Sequence, residues 1–308
     1  MKYWISGGAG LIGSHIVDQL IEEGHEVIVY DNLIRGKREN VNPKANFWMG
    51  DIRDYEEVKN SMSGCDGVFH QAALCLVDCE ARPYEAIDIN ITGTLNVLMA
   101  CVENKIKKIV AASSSSVYGD GRYLPTDEDH PFDNCLFYGM TKVADEQLYR
   151  TFYKKHGLDY VAFRYLNVYG PRIDTHGAYM MVIMHFIQAL KEGRQPVING
   201  DGSATLDMVY VKDVARANLM AMKSEVTNEV FNVASGKGTS LKELLDVLQK
   251  VMGTNIEPVF KERDGSLVTH RLGCPKKAKK LLKFECKIPL EQGLKEILDD
   301  LQNKTSLR

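Results

Sequence analysis

A tyrosine and a lysine lie four residues apart in the stretch YGMTK, at Tyr138 and Lys142. The residues that follow, VADEQLYRTFYKKHG, have strong helical periodicity, so the two side chains share one face of a helix. A phenol with a pKa of about 10 is a poor base at neutral pH, but a nearby ammonium group lowers that pKa. The pair can then take a proton from a hydroxyl group while a hydride leaves the attached carbon. In isolation, such a pair is usually a surface coincidence, so its meaning depends on the surrounding elements.

A run of four serines, SSSS at 113–116, precedes Val117-Tyr118-Gly119. Serine runs of this kind are usually loop filler. This run, however, ends the predicted apolar strand KIVAAS (108–113), over the crevice in which Tyr138 is expected. One of the serines can donate a hydrogen bond to the reacting oxygen beside Tyr138. We therefore predict that the run belongs to an active site.

Short apolar segments alternate with amphipathic helical segments through the first half of the chain. The apolar segments are predicted strands at 2–6, 26–30, 46–51, 67–72, 108–113 and 159–165. Helices are predicted between most of them, at 11–23, 54–62, 84–104 and 137–156. Strands that are apolar throughout and separated by helices indicate a parallel sheet covered on both faces. The predicted fold class is α/β, with a doubly wound Rossmann sheet.

The pattern changes after about residue 166. Helices predicted near 178–193, 211–223, 240–252 and 289–303 are separated by short strands and loops. We interpret this half as a smaller mixed α/β substrate domain. The predicted boundaries are 1–166 for the cofactor domain, joined by part of 207–232, and 167–308 for the substrate domain.

A glycine-rich turn, GGAGLIG, joins the first predicted strand to the first helix through Gly7, Gly10 and Gly13. Small residues there let the backbone turn tightly and approach a pyrophosphate at a helix N-terminus. The second strand ends in Asp31, eighteen residues after Gly13, near the spacing of about twenty typical of dinucleotide sites. A carboxylate there binds the adenosine ribose hydroxyls and repels a 2′-phosphate. NAD is therefore favoured over NADP, although Arg35 could accept that phosphate.

The third and fourth strands also end in residues that suit a dinucleotide, which passes over the carboxyl ends of the strands in such a sheet. GDIRD (50–54) places Asp51 where it can bind the adenine amino group, beside Ile52. HQAA (70–73) places small residues along the cofactor path. We interpret His70 as a hydrogen-bonded core histidine and assign it no chemistry.

The composition is ordinary for a globular protein. The chain has 308 residues, of which 44% are hydrophobic and 26% charged, and a formal net charge of -3. The chain therefore lacks the overall excess of basic residues that is typical of nucleic-acid-binding proteins. The lysine-rich KKAKKLLK (276–283) is interpreted as a solvated helix face, with Ala278, Leu281 and Leu282 on the apolar side.

The seven cysteines are scattered and form no Cys-x-x-Cys pair, which favours neither a zinc knuckle nor a disulfide framework. No signal peptide is visible, and the apolar stretch 179–187 is too short to span a bilayer. These features predict a soluble cytoplasmic protein with reduced cysteines and no metal site.

Nine segments in order resemble the extended short-chain dehydrogenase/reductase family, and within it the nucleotide-sugar epimerases and dehydratases. The segments are GGAGLIG, YDN, GDIRD, HQAA, NITGTLNVL, SSSSVYGD, YGMTK, FRYLNVYGPR and GDGSATLDMVYVKDVA. The resemblance covers nearly the whole chain.

The resemblance implies a role for several residues. Ser114 would be the catalytic serine of a triad with Tyr138 and Lys142. Ser115 and Ser116 would border the substrate. The further implied positions are Asn90 near the cofactor and Asn167 against the nucleotide-sugar. The predicted cofactor-binding residues are Gly7, Gly10, Leu11, Ile12, Gly13, Asp31, Asn32, Asp51, Ile52, Gln71, Ala72, Ala73, Asn90, Tyr138, Lys142 and Tyr165.

The serine segment also bears on the reaction. In the 4,6-dehydratases and decarboxylases that resemble this family, acidic residues precede the Val-Tyr-Gly, whereas Ser115 and Ser116 stand there in this chain. The remaining groups suit oxidation of a hydroxyl and return of the hydride to the opposite face. That set resembles a UDP-hexose 4-epimerase, in which NAD takes a hydride from C4, the 4-keto sugar turns over, and the hydride returns. No external oxidant is consumed, so the cofactor could stay bound.

One departure from the family concerns the substrate diphosphate. The usual Arg-Asp-Phe is Leu206-Asp207-Met208 here, so one expected contact is absent and Arg263 or Arg271 could replace it. Arg271 also lies roughly where UDP-galactose 4-epimerases carry a residue that limits sugar size. An arginine there can bind a carboxylate bidentately, which suggests a uronic acid or a related acidic or amidated sugar. A surface arginine on a loop is the alternative.

Two other functions remain open at this point. A nucleotide-sugar 4-reductase or dehydratase-type oxidoreductase is one, and a reductase would need fresh NAD(P)H, unlike an epimerase. A catalytically silent NAD-sensing module is the other, although such relatives commonly lack the tyrosine or the lysine. A homodimer is also predicted, because helices 84–104 and 137–156 carry apolar stripes beyond what one sheet face needs. In the family, the equivalent helices form a four-helix bundle between subunits.

Overall fold

A computed structural model describes residues 1–173, 182–262 and 270–306. Within these ranges, seven strands form one parallel sheet. In spatial order they are β10 (Glu229–Val233), β6 (Asp159–Tyr165), β5 (Lys108–Ser114), β4 (Gly67–His70), β1 (Lys2–Ser6), β2 (Glu26–Asp31) and β3 (Asn46–Met49). The chain runs outward from β1 to β3 and then crosses back to β4, so the strand order reverses beside β1. The predicted doubly wound sheet is confirmed, and its ligand site is expected at this reversal.

Helices cover both faces of the large sheet. On one face lie α1 (Leu11–Glu22) and α8 (Val211–Lys223), and on the other α2 (Tyr55–Ser61), α5 (Gly93–Glu103) and α6 (Phe137–His156). Side chains of a strand alternate between the faces, so Ile5 joins the first core while Trp4 joins the second. Both residues are fully buried, which explains why β1 is apolar throughout.

The predicted helix at 84–104 is interrupted. It follows α3 (Leu76–Ala81) and consists of α4 (Pro83–Ala86), a π-helical segment at Ile87–Thr92, and α5. The stretch Pro83–Glu103 is long and apolar enough to cross a membrane, but half of its most apolar window is buried inside the protein. Val97 and Leu98 belong to the second core, so one face of this stretch packs into the interior of the fold.

The smaller domain contains a mixed sheet of β7 (Asn167–Tyr169), β9 (Thr205–Tyr210), β11 (Gly238–Ser240) and β13 (His270–Arg271). A separate pair consists of β8 (Val197–Asn199) and β12 (Val259–Lys261). Its helices are α7 (Val182–Lys191), α9 (Leu241–Met252) and α11 (Leu290–Ser306), whereas α10 (Lys276–Leu282) packs against β10 of the large sheet. Apolar side chains of α7, α9 and α11 form its core.

Some details differ from the sequence predictions. Residues 174–181, which include the predicted start of the helix at 178–193, lie outside the described residues. On α10, Ala278 and Leu282 are buried as predicted, but Leu281 is 40% exposed. Positions 281 and 282 lie about 100° apart around this helix, and Leu282 is the one that joins the core of the large sheet.

Candidate active site

Two adjoining cavities lie over the carboxyl ends of the large sheet. The first, of about 130 Å³, is lined by residues that follow β1, β2 and β4. The second, of about 300 Å³, is lined by the end of β5, the start of α6, and residues 165–168. Gly7, Gly10 and Gln71 line both cavities. We call the first the cofactor cavity and the second the reaction cavity.

The glycine turn forms the floor between the two cavities. Gly7 has φ = 68°, and a Cβ atom there would lie 2.7 Å from the backbone nitrogen of Ala72. A Cβ atom at Gly13 would lie 2.1 Å from the carbonyl oxygen of Gly7. Helix α1 begins at Leu11, directly after Gly10, so its N-terminus faces a concave surface of backbone atoms. This surface fits a diphosphate, whose charge is favoured at a helix N-terminus.

Asp31 lines the cofactor cavity at the end of β2. Its carboxylate accepts hydrogen bonds from the backbone N–H groups of Ala9 (3.0 Å) and Leu33 (2.8 Å). Burial raises the pKa of this carboxyl, and the two hydrogen bonds oppose that rise. Arg35 forms an ion pair of 2.8 Å with Asp78. The arginine that could accept a 2′-phosphate is therefore already bound to an acid, and the site suits NAD.

The far end of the cofactor cavity is bordered by Gly50 and Ile52. Asp51, between them, binds Arg53 through both oxygens (3.0 and 2.8 Å) and also accepts from Asn32 at 3.0 Å. The hydrogen bond with Arg53 is the main reason that the pKa of Asp51 falls to about 2. Asp51 is thus an anion that holds Asn32, which itself lines the cavity.

The turn after β4 joins the cavities to the protein interior. Gln71, Ala72 and Ala73 line the cofactor cavity as predicted, and Gln71 accepts a hydrogen bond of 3.1 Å from the Tyr165 hydroxyl. His70 is 1% exposed. Its Nδ1 atom lies 2.7 Å from Ser6 Oγ and its Nε2 atom 2.9 Å from Thr94 Oγ1. The interpretation of His70 as a hydrogen-bonded core histidine is confirmed.

Asn90 lies in the π-helical segment and is fully buried. Its amide oxygen accepts from the backbone N–H of Leu74 (2.7 Å), and its amide nitrogen donates to Leu74 O (3.2 Å) and to Thr141 Oγ1 (3.0 Å). Leu74 lines the cofactor cavity. In this structure, Asn90 therefore contacts the cavity through the Leu74 loop and ties that loop to α6.

The four serines are ordered and buried, with exposures of 2% to 8%. Ser114 ends β5, and its hydroxyl accepts a hydrogen bond of 3.1 Å from the backbone N–H of Ser116 at the start of a 3₁₀ turn. Ser113 donates to Glu146 of α6 at 2.5 Å. All four line the reaction cavity, so they are not loop filler.

Tyr138 lines the reaction cavity and forms a hydrogen bond with Ser114. Lys142 is 2% exposed, and its Nζ atom lies 5.9 Å from the centre of the Tyr138 ring. Burial raises the pKa of Tyr138, whereas the charge of Lys142 and the hydrogen bond with Ser114 lower it. The net pKa is raised, so the predicted net decrease is wrong for the protein alone. Both partners act in the predicted direction, but burial outweighs them.

Of the predicted substrate residues, Ser115, Ser116, Asn167 and Arg271 line the reaction cavity. Asn167 also donates a hydrogen bond of 3.3 Å to the carbonyl oxygen of Asp207. Arg263 lies outside the described residues. The structure thus brings together residues from both domains around one cavity.

Two residues near the cavities were missed by sequence reasoning. Asn218 of α8 donates to the Tyr165 hydroxyl (2.9 Å) and accepts from Gln71 (3.3 Å). No local motif marks it, because it reaches the site only through the packing of α8 on the sheet. Asp145 forms an ion pair with Lys142. Its signal was present, since an acid three residues after a lysine shares its helix face.

Comparison with protein families shows that the model of the NAD dependent epimerase/dehydratase family matches residues 3–234. The chain belongs to this family. It is therefore an NAD-dependent enzyme of the epimerase type, in agreement with the fold and the cofactor predicted from the sequence.

Similar proteins cover almost the whole chain. A Methanocaldococcus jannaschii protein, provisionally named UDP-glucose 4-epimerase, is 40% identical over 303 residues, which are 97% of this chain and 98% of the relative. The UDP-glucose 4-epimerase of Thermotoga maritima, solved with UDP-glucose, is 37% identical with a TM-score of 0.94, over 99% of this chain and 100% of that one. The UDP-N-acetylglucosamine 4-epimerase of Methanobrevibacter ruminantium, solved with UDP-N-acetylmuramic acid, is 34% identical with a TM-score of 0.94, over 98% of each chain.

The family cofactor fits the residues present. The glycine turn offers the diphosphate surface, Asp31 a ribose-binding carboxylate, and Ile52 an apolar wall. Bound NAD would supply the oxidising and reducing equivalents at the substrate carbon. All seven cysteine thiols are free, and no group of three or more possible metal ligands occurs in the described part of the chain.

Proposed function

We propose that this protein is a UDP-hexose 4-epimerase that inverts C4 through a transient 4-keto sugar. The observation that carries the proposal is the lining of the reaction cavity. Ser114 and Tyr138 border it, and no carboxylate is among the described residues that line it. An elimination or a decarboxylation of the kind known in related enzymes needs an added acid, so the lining favours simple oxidation and reduction at one carbon.

Each catalytic side chain has a defined task in this proposal. Tyr138 accepts the proton of the 4-hydroxyl group and returns it to the 4-oxygen after the sugar has turned over. Ser114 donates a hydrogen bond to the same oxygen. Lys142, buried behind Tyr138, favours the phenolate by its charge. The wall of Ser115 and Ser116 offers hydroxyl groups that can contact either face of the sugar.

Arg271 supports a finer proposal, that the sugar carries an acidic group. Its side chain lines the reaction cavity together with Tyr138 and Ser114. A guanidinium group binds a carboxylate with two parallel hydrogen bonds. Similar epimerases have been solved with a neutral sugar nucleotide and with an acidic one, so membership of the family does not decide the sugar.

Proton NMR of the sugar H4 couplings tests the proposal. The purified protein is incubated without added cofactor, in one tube with UDP-glucose and in another with UDP-glucuronate. Formation of a gluco–galacto mixture in either tube would support a 4-epimerase that retains NAD, and faster reaction of UDP-glucuronate would support the acidic sugar. No inversion in either tube, even with added NAD, would refute the epimerisation of these sugars. A reductase would instead consume NADH in proportion to product.

A homodimer is part of the proposal. Four large apolar side chains on the helical stretch Pro83–Glu103 are exposed to solvent. They are Tyr84 (88%), Ile87 (43%), Leu95 (38%) and Met99 (40%). Tyr84 and Ile87 are three residues apart, and Leu95 and Met99 are four apart on α5, so the members of each pair lie near each other on the helix surface. We call these four side chains the exposed apolar stripe. A second copy of the chain would cover this stripe, with α6 beside it. A cytoplasmic location, in which the seven free thiols stay reduced, also belongs to the proposal.

A further inference from the structure

Asp145 is the nearest charged partner of the catalytic lysine. Its Oδ2 atom lies 2.9 Å from Lys142 Nζ, and the two side chains are 0% and 2% exposed. The residues are three positions apart on α6, so they lie on one face of the helix. In a buried pair at this distance, each charge strongly affects the protonation of the other.

The pair is connected to the turn that lines the cofactor cavity. Thr94 lowers the pKa of the Asp145 carboxyl, and the Thr94 hydroxyl is also bound to His70 at 2.9 Å. His70 is bound to Ser6, whose hydroxyl accepts from the backbone N–H groups of Gln71 (3.2 Å) and Ala72 (3.3 Å). Buried polar groups thus lead from the cofactor turn to Thr94, which lies beside the ion pair, while Asp145 Oδ1 itself has no hydrogen-bond partner among the described residues.

We propose that Asp145 is a positioning residue for the catalytic pair. Its carboxylate holds the Lys142 ammonium group behind Tyr138, and its negative charge determines how strongly Lys142 acts on the Tyr138 hydroxyl. Without Asp145, the ammonium group would act on the phenol at full strength but would itself lose its proton at a lower pH.

Three titratable groups around the pair have pKa values far from neutral pH, and a fourth is held in an ion pair. Burial lowers the pKa of His70 on β4 to about 3 and raises that of Cys79 on α3 to about 11. Burial also places the pKa of Tyr149, on α6 itself, well above 10. Glu146, also on α6, is bound by Arg164 at 2.8 Å. Within the part of the chain that the structure describes, we therefore assign the pH dependence of this cluster to Tyr138, Lys142 and Asp145.

The direction of the effect follows from the pKa shift of Lys142 and from the position of the Asp145 charge beside the ammonium group. Burial lowers the pKa of Lys142, but Asp145 and Tyr138 raise it above its usual value. Loss of the Asp145 charge therefore lowers the pKa of Lys142. It also lowers the pKa of Tyr138, because the ammonium charge that favours the phenolate is no longer offset. In a bell-shaped pH profile, the acid limb reports the ionisation of Tyr138 and the alkaline limb that of Lys142. Both limbs should therefore move to lower pH.

The test is the pH profile of kcat for the NAD-loaded Asp145→Asn variant. Both limbs are expected to shift to lower pH by at least about one unit, a tenfold change in each equilibrium. The activity readout rests on the proposed function. A second readout needs no substrate: the ultraviolet absorbance of the phenolate is titrated, and the Tyr138→Phe background is subtracted. A phenolate that forms at lower pH in Asp145→Asn, even if epimerisation is absent, would support the inference by itself.

Two variants serve as controls. Asp145→Glu keeps the charge and should keep both limbs near those of the wild type. Asp246→Asn removes one exposed acid from α9 and should shift neither limb. If Asp145→Asn does not fold, the smaller neutral Asp145→Ser takes its place in both readouts. A lower kcat with unmoved limbs and an unmoved phenolate titration would overturn the inference and leave Asp145 a structural residue.

Discussion

Arg271 lies directly beside Leu206, its partner in the parallel pairing of β13 and β9. Paired residues of neighbouring parallel strands project to the same face of a sheet. The family resemblance implies an arginine for the substrate diphosphate at the position of Leu206, and Arg271 can supply a guanidinium group on the same face. The same arginine lines the reaction cavity. Arg271 has two candidate ligands, the diphosphate and an acidic group on the sugar. Loss of a diphosphate contact would affect all UDP-sugars equally, whereas loss of a contact with the acidic group would affect only acidic sugars.

We predict that Arg271→Glu lowers kcat/KM for both substrates, and that the loss for UDP-glucuronate is at least about ten times larger than the loss for UDP-glucose. A charge-assisted hydrogen bond contributes about 1.5 to 3 kcal/mol, which corresponds to about 10- to 150-fold. Lys237→Glu, at an exposed position before β11, controls for the added negative charge. Equal losses with both substrates would show that Arg271 binds the diphosphate, and the acidic-sugar proposal would be wrong.

We predict that Asp31→Asn weakens NAD binding by about 1.5 to 3 kcal/mol and narrows the preference for NAD over NADP. The change removes the ionised acceptor for the ribose hydroxyls and the repulsion of a 2′-phosphate. Calorimetric titration of the cofactor-free protein with each dinucleotide measures both effects. Glu26→Gln, at the opposite, exposed end of β2, should leave both affinities unchanged. An unaltered affinity for NAD in Asp31→Asn would show that the Asp31 carboxylate does not bind the cofactor.

We predict that His15→Gln weakens the dependence of stability on acid pH. Burial lowers the pKa of His15 to about 4, whereas the unfolded chain takes up this proton near pH 6.5. The contribution of neutral His15 is therefore complete above about pH 6.5 and is lost as the pH falls towards 4, by up to about 1.4 kcal/mol per pH unit. Glutamine can still donate to the carbonyl oxygen of Leu11, which His15 contacts at 2.8 Å.

The measurement for His15 is urea unfolding of both proteins at several pH values between about 7 and 4.5. The wild type should lose more free energy of unfolding than the variant over this range. Parallel curves for the two proteins would mean that His15 has the same pKa in the folded and the unfolded state, contrary to the effect of its burial.

We predict that Leu95→Glu converts the dimer to a monomer in light-scattering measurements of mass. The new charge would lie in the centre of the exposed apolar stripe that a second copy would cover, where an unpaired charge is costly. Leu281→Glu is a matched control, since Leu281 is 40% exposed, close to the 38% of Leu95, but lies on α10. A monomeric wild type, or a dimer that persists in Leu95→Glu, would refute this interface.

The sequence predicted the parts of the site that depend on local pattern. The glycine turn, Asp31 at the end of β2, and Tyr138 and Lys142 on one helix are each encoded by a few neighbouring residues. Asn218 and the register of Arg271 with Leu206 could not be predicted, because both result from contacts between segments far apart in the chain. The net rise of the Tyr138 pKa was missed for a similar reason: burial is a property of the whole fold and outweighed the local effect of Lys142.

The most direct test of C4 inversion by oxidation and reduction uses a UDP-hexose that carries deuterium at C4. The wild-type protein, without added cofactor, and the Tyr138→Phe variant are compared by NMR. We predict that the wild-type product is inverted at C4 and keeps its deuterium, because the hydride that leaves C4 returns to it. The variant should be slower by about a hundredfold or more, the contribution typical of a general base. Inversion with loss of deuterium to water would contradict the proposed mechanism, and the absence of inversion for both the glucose and the glucuronate substrate would contradict the proposed function.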